Sequence, residues 1–256
     1  MSLLKVVQIR SAVAARAARD LLSLRADDVW LATFPKTGSS WVRTILSILA
    51  HGDAAGLADI DRTVPALGAG TLGEPWTADV PRFVKTHQKY RPGWFARPRR
   101  TLLVTRDPRD TLASLHHMLS HRTVARFEGS LSDLVRDPRH GVAAYLAHHA
   151  SWAPRATAVL RYEALREDPT GTLRDTFDAL GAPVPDARIA EAVERSSLER
   201  MRAREASGGI ANQDRFDAGF DFVRRGAERR EAERFSEADE AYYQQLRRRA
   251  GFELYP

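Results

Sequence analysis

The chain has 256 residues, 43% hydrophobic and 28% charged, which suits one globular domain with a real core. It contains no cysteine, which excludes disulfides and thiolate chemistry, and no apolar run of about 18 residues, so no stable membrane insertion is expected. The net charge of +6 fits either a generally basic surface or an anionic ligand.

The arginines are spread along the chain without the aromatic-interleaved basic module that reads bases, so nucleic acid is not an expected partner. Of 39 basic residues only Lys5, Lys36, Lys85 and Lys89 are lysine. Where arginine serves for generic positive charge, a lysine marks a need for a compact ammonium. The same arginine-rich usage points to a GC-rich bacterium and so to a bacterial metabolite or lipid. The first 25 residues are a poor secretion signal, because Arg10, Arg16 and Arg19 interrupt the apolar positions. Without cysteines, the chain suits a cytoplasmic location.

In chain order, residues 3–24 read as an amphipathic helix with Val6, Val13, Ala17, Leu21 and Leu24 near one face. It could dock on the domain, join a homodimer or touch a membrane surface. Val29 to Thr33 reads as a buried strand and Ser39 to Ala50 as a helix. A Gly-, Asp- and Pro-rich stretch, His51 to Asp79, reads as a long loop. Arg82 to Thr86 and Thr101 to Thr105 read as strands, and Pro108 to Ser120 as a helix with proline in its first turn. Leu131 to Arg136 and Val142 to Trp152 read as helices, Ala158 to Arg161 as a strand, and several helices follow through Arg204. Ser207 to Ala218 has a low-order composition. The last element is a charged helix, Ser236 to Arg249, whose Arg247 to Arg249 run reads as a solvated end.

No internal repeat or linker appears, so residues 1–256 form one domain. Strands alternating with helices predict an α/β fold with a central parallel sheet flanked by helices on both faces. Ligands of such sheets bind beyond the carboxyl ends of the strands. Segments beginning at Phe34, Lys85, Arg106 and Tyr162 all fall there.

Thr33 to Trp41 ("TFPKTGSSW") is a strand-to-helix turn rich in anion-binding groups. Gly38 allows a backbone turn closed to other residues. Successive N–H groups before a helix surround an anion, Ser39 and Ser40 offer hydroxyls, and Lys36 supplies a full charge. An ordinary serine-capped turn would look similar. Lys36 precedes Gly38, which is the wrong order for a nucleotide-kinase loop, where lysine follows the last glycine. In "VTRDPRDTLASLHH", Arg106 ends a strand and Ser114 lies eight residues on. The guanidinium fork matches a phosphate, although an ion pair with Asp107 or Asp110 is the simpler use. His116 and His117 read as surface or pocket wall more readily than as a second base. Trp76, Tyr90, Trp94 and Phe95 could line an apolar pocket, pack in the core or form a lid. No acidic cluster or histidine spacing resembles a metal site.

These segments together resemble the sulfotransferases that use 3′-phosphoadenosine-5′-phosphosulfate (PAPS). Thr33 to Trp41 resembles that family's 5′-phosphosulfate loop throughout. Arg106 and Ser114 resemble its 3′-phosphate pair, and "VKTHQ" (Val84 to Gln88) its segment with the catalytic histidine. "RYEALREDP" (Arg161 to Pro169) resembles the segment whose tyrosine, here Tyr162, sits at the adenine. "SSLERM" (Ser196 to Met201) resembles a later adenine-side segment, with Leu198 where an aromatic is usual. "FVRRGAERRE" (Phe222 to Glu231) resembles the C-terminal motif only through Arg224, Arg225 and Gly226. Arg229 and Glu231 stand where the family has glycine and tryptophan, and Gln88-Lys89 replaces Leu-Pro.

The resemblance, over residues 28–250, implies a P-loop-like fold and PAPS as cofactor, leaving as 3′-phosphoadenosine-5′-phosphate (PAP), with no metal expected. It implies His87 as general base, Lys36 at the bridging oxygen and Lys85 on the sulfuryl oxygens. Lys36, Thr37, Gly38, Ser39, Ser40, Trp41, Arg106, Ser114, Tyr162, Ser196, Leu198, Arg224, Arg225 and Gly226 would hold the cofactor, with residues 207–235 as a lid. The acceptor would be a hydroxyl of a small molecule, lipid or natural product. A P-loop nucleotide kinase and a non-catalytic nucleotide-binding protein are the rival readings.

Overall fold

The run Val29–Thr33 (β1) is buried at every position, which only a strand covered on both faces allows. The computed structural model describes residues 19–52, 60–72, 76–93, 100–208, 213–218, 220 and 234–256. Among these, Phe83–Thr86 (β2), Arg100–Thr105 (β3) and Ala158–Arg161 (β4) join β1 in a four-stranded sheet of order β2-β1-β3-β4, parallel throughout. Val29 registers with Phe83 on one side and Arg100 on the other, and Leu102 registers with Ala158. The four carboxyl ends therefore lie side by side.

Side-chain alternation splits the core into layers. Val29, Leu31, Leu102, Val104 and Leu160 face the helices Ser39–His51 (α1), Pro169–Ala179 (α7) and Asp186–Arg195 (α8), through Val42, Ile45, Phe177 and Ile189. Trp30, Ala32, Val84 and Leu103 face the other way, onto Trp152 at the end of Val142–Trp152 (α5). A further cluster joins α5 to Pro108–Ser120 (α3), Leu131–Arg136 (α4) and the last helix, Glu237–Ala250 (α10). Ser130 and Ser236 each cap their helices in a reciprocal box with the aspartate three residues on.

The stretch expected as a long loop carries more structure than its composition promised. It holds a one-turn helix, Ile60–Thr63 (α2), and Ala66 bridges to Lys85 of β2. The reason lies elsewhere in the chain. Arg43 of α1 is buried and binds the carbonyls of Ile60 (2.9 Å) and Val64 (3.1 Å) and the Asp61 carboxylate (2.6 Å). One buried guanidinium thus orders a segment that has little local propensity of its own. Arg82 works similarly at the strand edge, forking onto Asp28 with two 2.7 Å bonds. A further correction concerns the last helix. Arg248 and Arg249 are exposed, but Arg247 folds back onto Gln244 and the Phe252 carbonyl, closing the helix end. Most of the expected N-terminal helix and of the expected lid lie outside the described residues.

Candidate active site

The loop after β1 is built as an anion nest. Thr37 bonds back to the Phe34 carbonyl through its hydroxyl (2.8 Å) and its N–H (3.3 Å), tightening the turn. Lys36 and Gly38 both take left-handed backbone angles, φ +71° and +95°. For a lysine that conformation is strained and persists only where its surroundings impose it. Gly38 caps α1 with no side-chain hydrogen bond, and the first turn has no acid. The leading N–H groups and the positive end of the helix dipole therefore stay available to an anion. The place a Gly38 Cβ would fill is taken by the Tyr162 ring, whose Cδ2 would lie 2.4 Å away.

Tyr162 opens Tyr162–Glu167 (α6), which starts directly at the end of β4. Its ring meets Trp41 edge-on at 6.0 Å and lies under the Arg106 guanidinium, 4.5 Å from the centroid. The Trp41 indole N–H donates to Ser196 Oγ (3.2 Å), which in turn donates to the Val193 carbonyl (3.0 Å). Ser196 is fully buried, so it stands behind Trp41. Among the described residues the polar contacts of the Arg106 guanidinium are long, to the Lys36 carbonyl (3.4 Å) and Asp110 (3.5 Å), and its buried Nε has no hydrogen-bond partner there. An arginine held in place with a donor left over is what a phosphate site requires. Ser114 is half-buried on α3. Leu198 is 45% exposed at the start of Leu198–Gly208 (α9). Arg224, Arg225 and Gly226 lie outside the described residues.

His87 follows β2. Its Nδ1 lies 2.7 Å from the Thr33 carbonyl oxygen and 3.0 Å from the Thr33 hydroxyl. A carbonyl only accepts, so Nδ1 carries the proton and Nε2 presents a lone pair. The ring has solvent-accessible surface but is crowded by protein on most sides, as at the floor of a cleft. That desolvation, helped by the Lys85 charge, holds the imidazole well below its ordinary value. Lys85 is pushed down to about 7 by burial first, then by Arg43 and Lys36, with Asp61 opposing. His87 faces a cavity of about 380 Å³ that also touches Phe34 and His148. His148 is buried, its Nε2 lacks a partner among the described residues, and burial pushes it down to about 4.

Of the uses left open for the aromatics, packing against neighbouring residues holds for the two that are described. Trp76 donates to the Val80 carbonyl (2.9 Å) and packs on His51 and the core; Tyr90 packs on Trp152 under Arg155. Neither lines the cavity, and Trp94 and Phe95 lie outside the described residues. His116 is bonded to the Gly129 carbonyl (2.9 Å), and His117 packs on His121 and Phe220. Arg43, His148 and the Thr33 carbonyl were not anticipated, and Phe34, expected only as the start of a ligand segment, lines the cavity. A histidine on the apolar face of α5 was the one visible signal; a backbone carbonyl leaves none. Among the described residues no group of three or more histidine or acidic side chains is placed to hold a metal.

Residues 26–250 match the family model described as the sulfotransferase domain. Human sulfotransferase 2B1 is 25% identical over 73% of this chain and 55% of its own length. Mouse sulfotransferase 2A2 is 22% identical over 81% of this chain and 78% of its own. Thus the chain spans only about half of the human relative. Among solved structures, retinol dehydratase with androsterone and PAP superimposes with a TM-score of 0.67 at 18% identity, covering 90% of this chain and 82% of that one. Mouse sulfotransferase SULT7A1 with PAP gives 0.66 at 18%, covering 94% and 91%. At such identity these likenesses speak for the α/β fold.

Proposed function

For a chain that belongs to the sulfotransferase domain family, we propose transfer of a sulfuryl group from PAPS to the hydroxyl of a small-molecule acceptor. One observation carries this reading: an uncapped anion nest and a histidine with a bare Nε2 share one end of the sheet. Bound PAPS would supply the activated sulfuryl group. The residues present fit it, through the nest at Lys36 to Ser40, the Tyr162 ring against Gly38, and a buried Arg106 Nε that has no partner among the described residues.

His87 Nε2 takes the proton from the acceptor hydroxyl, while the Thr33 carbonyl fixes the tautomer and the ring plane. Lys36 would neutralise charge on the phosphate that leaves. Lys85 would support the sulfuryl oxygens, and its partly dry recess would strengthen that interaction. Arg106 and Ser114 would hold the 3′-phosphate; Tyr162 and Trp41, backed by Ser196, would form the adenine side.

Labelled PAPS with a panel of phenols, sterols and hydroxylated lipids tests this. His87→Ala should lower kcat by about 10²- to 10⁴-fold and leave PAP affinity nearly unchanged. In the wild type the acid limb of kcat/KM should fall well below pH 6.5, because His87 stays neutral until then. No PAP binding and no transfer would refute the reading; PAP binding without transfer would favour a non-catalytic nucleotide binder.

A further inference from the structure

The cavity beside His87 has an uneven lining. Part of it carries no charge: Phe34, His87 and His148, both imidazoles held below their ordinary value by the protein packed around them. Ala143 and Ala147, one turn apart on α5, keep one wall low. At the rim stand Lys89, from the segment after β2, and Arg139, from the turn between α4 and α5. Both are exposed, and neither has an ion-pair partner among the described residues. No carboxylate is among the described residues that line the cavity. Asp137 is nearest in sequence to Arg139, but it accepts from the N–H groups of Arg139 (2.9 Å) and His140 (2.8 Å) and faces the His140 ring. The Lys89 charge is felt at His148, inside the cavity. Two cations from separate segments therefore stand at one opening, with no carboxylate among its described lining residues. At about 380 Å³ the space lies at the small end of ligand pockets, which run to roughly 300–1,000 Å³.

We propose that the acceptor is a hydroxylated small molecule that also carries a carboxylate or comparable anion. Lys89 and Arg139 hold that anion at the mouth, and the flat body lies over Phe34 and the alanine wall. The hydroxyl then meets His87 Nε2. This rests on the sulfotransferase reading and narrows its substrate class. Retinol dehydratase, a structural neighbour, was solved with androsterone and with retinol, neither of which carries such a charge.

The test uses the full chain with PAPS and matched acceptors: 2-naphthol against 6-hydroxy-2-naphthoate, and 4-ethylphenol against 3-(4-hydroxyphenyl)propanoate. The carboxylate member of each pair should be favoured in kcat/KM by ~10-fold or more at low ionic strength, with the preference shrinking as salt rises. In the double variant Lys89→Ala/Arg139→Ala the ratio within each pair should fall toward one, while Lys89→Arg/Arg139→Lys should keep it. Equal kcat/KM within the pairs, or a double alanine variant that retains the ratio, overturns the proposal. So does a double variant that loses PAP affinity as strongly as it loses the carboxylate acceptor, or a PAP-binding protein that turns over neither carboxylate. PAP binding is measured separately by calorimetry; its absence in the wild type refutes the sulfotransferase reading and the acceptor class with it.

Discussion

Lys85 is the residue whose local stability and proposed task conflict most. Its ammonium is half-buried, beside Arg43, with a pKa of about 7 against an ordinary 10.5. Between those values the unfolded chain binds more protons than the folded one, so this residue makes stability rise with pH. Below about 7 both states are protonated and the full desolvation cost remains. Lys85→Met should therefore raise the Tm of the unliganded protein at pH 7, by about 2–4 °C for each kcal/mol relieved, while lowering kcat by about 10²-fold or more. The Tm advantage should narrow as pH climbs toward 10. A variant less stable than wild type at pH 7 would show that the recess favours the ammonium. Lys36 in its left-handed conformation makes a parallel case, since neither residue is placed where the fold alone would want it.

Two short segments, one in the site and one beside β2, differ in how much of them the sequence discloses. The nest at Thr33 to Trp41 was legible because its chemistry is local: a glycine, two serines and a lysine in the right order before an apolar helix. Its tertiary lock was not, because the Tyr162 ring arrives from far along the chain to fill the Gly38 Cβ position. Gly38→Ala should cost about 1–3 kcal/mol from backbone strain and at least tenfold in PAP affinity. Adding Tyr162→Ala should recover only part of the loss, as the φ of +95° remains; full recovery in urea titrations would assign the cost to the ring alone. The segment 60–67 was read as loop for the opposite reason. Its order comes from Arg43, which reads as one more basic residue in an arginine-rich chain. Arg43→Ala leaves two carbonyls and the Asp61 carboxylate short of a donor and should cost about 3–5 kcal/mol. Asp61→Ala should cost less, about 1–3 kcal/mol, because the buried Arg43 cation loses its carboxylate but keeps its carbonyl acceptors. Chemical denaturation distinguishes the two orders.

Across the whole molecule, the chain's last residues brace the turn that presents Arg106. Glu163 accepts the Asp107 N–H (2.9 Å) and the Tyr255 hydroxyl (2.8 Å), and Tyr255 also meets Thr105 (3.2 Å). Arg109 is forked onto Glu240 at 2.8 and 2.6 Å. Glu163→Gln replaces one accepting oxygen by a donor and should lower stability by about 1 kcal/mol, with a several-fold loss of PAP affinity; unchanged affinity would mean that the turn holds without this brace. The parallel sheet was readable from alternating strands and helices, and the four candidate segments do lie at its carboxyl ends. These cross-chain braces were not, since a glutamate or tyrosine in sequence gives no sign of which distant donor it meets.

The same sheet order has a kinetic side. Val29 lies in the central strand, yet its neighbours, Phe83 and Arg100, are made much later, and Ala158 later still. During synthesis β1 is an apolar segment waiting for partners, and each pairing closes a long loop. Such high-contact-order topologies fold slowly and expose sticky intermediates on the way. The nest at Thr33 to Trp41 is among the first parts translated, but its contact with Tyr162 forms only after that residue has emerged and docked on Gly38. A nucleotide gripping the finished nest would act as a late clamp on folding, so refolding yield should rise when PAP is present and stay unchanged if PAP does not bind there.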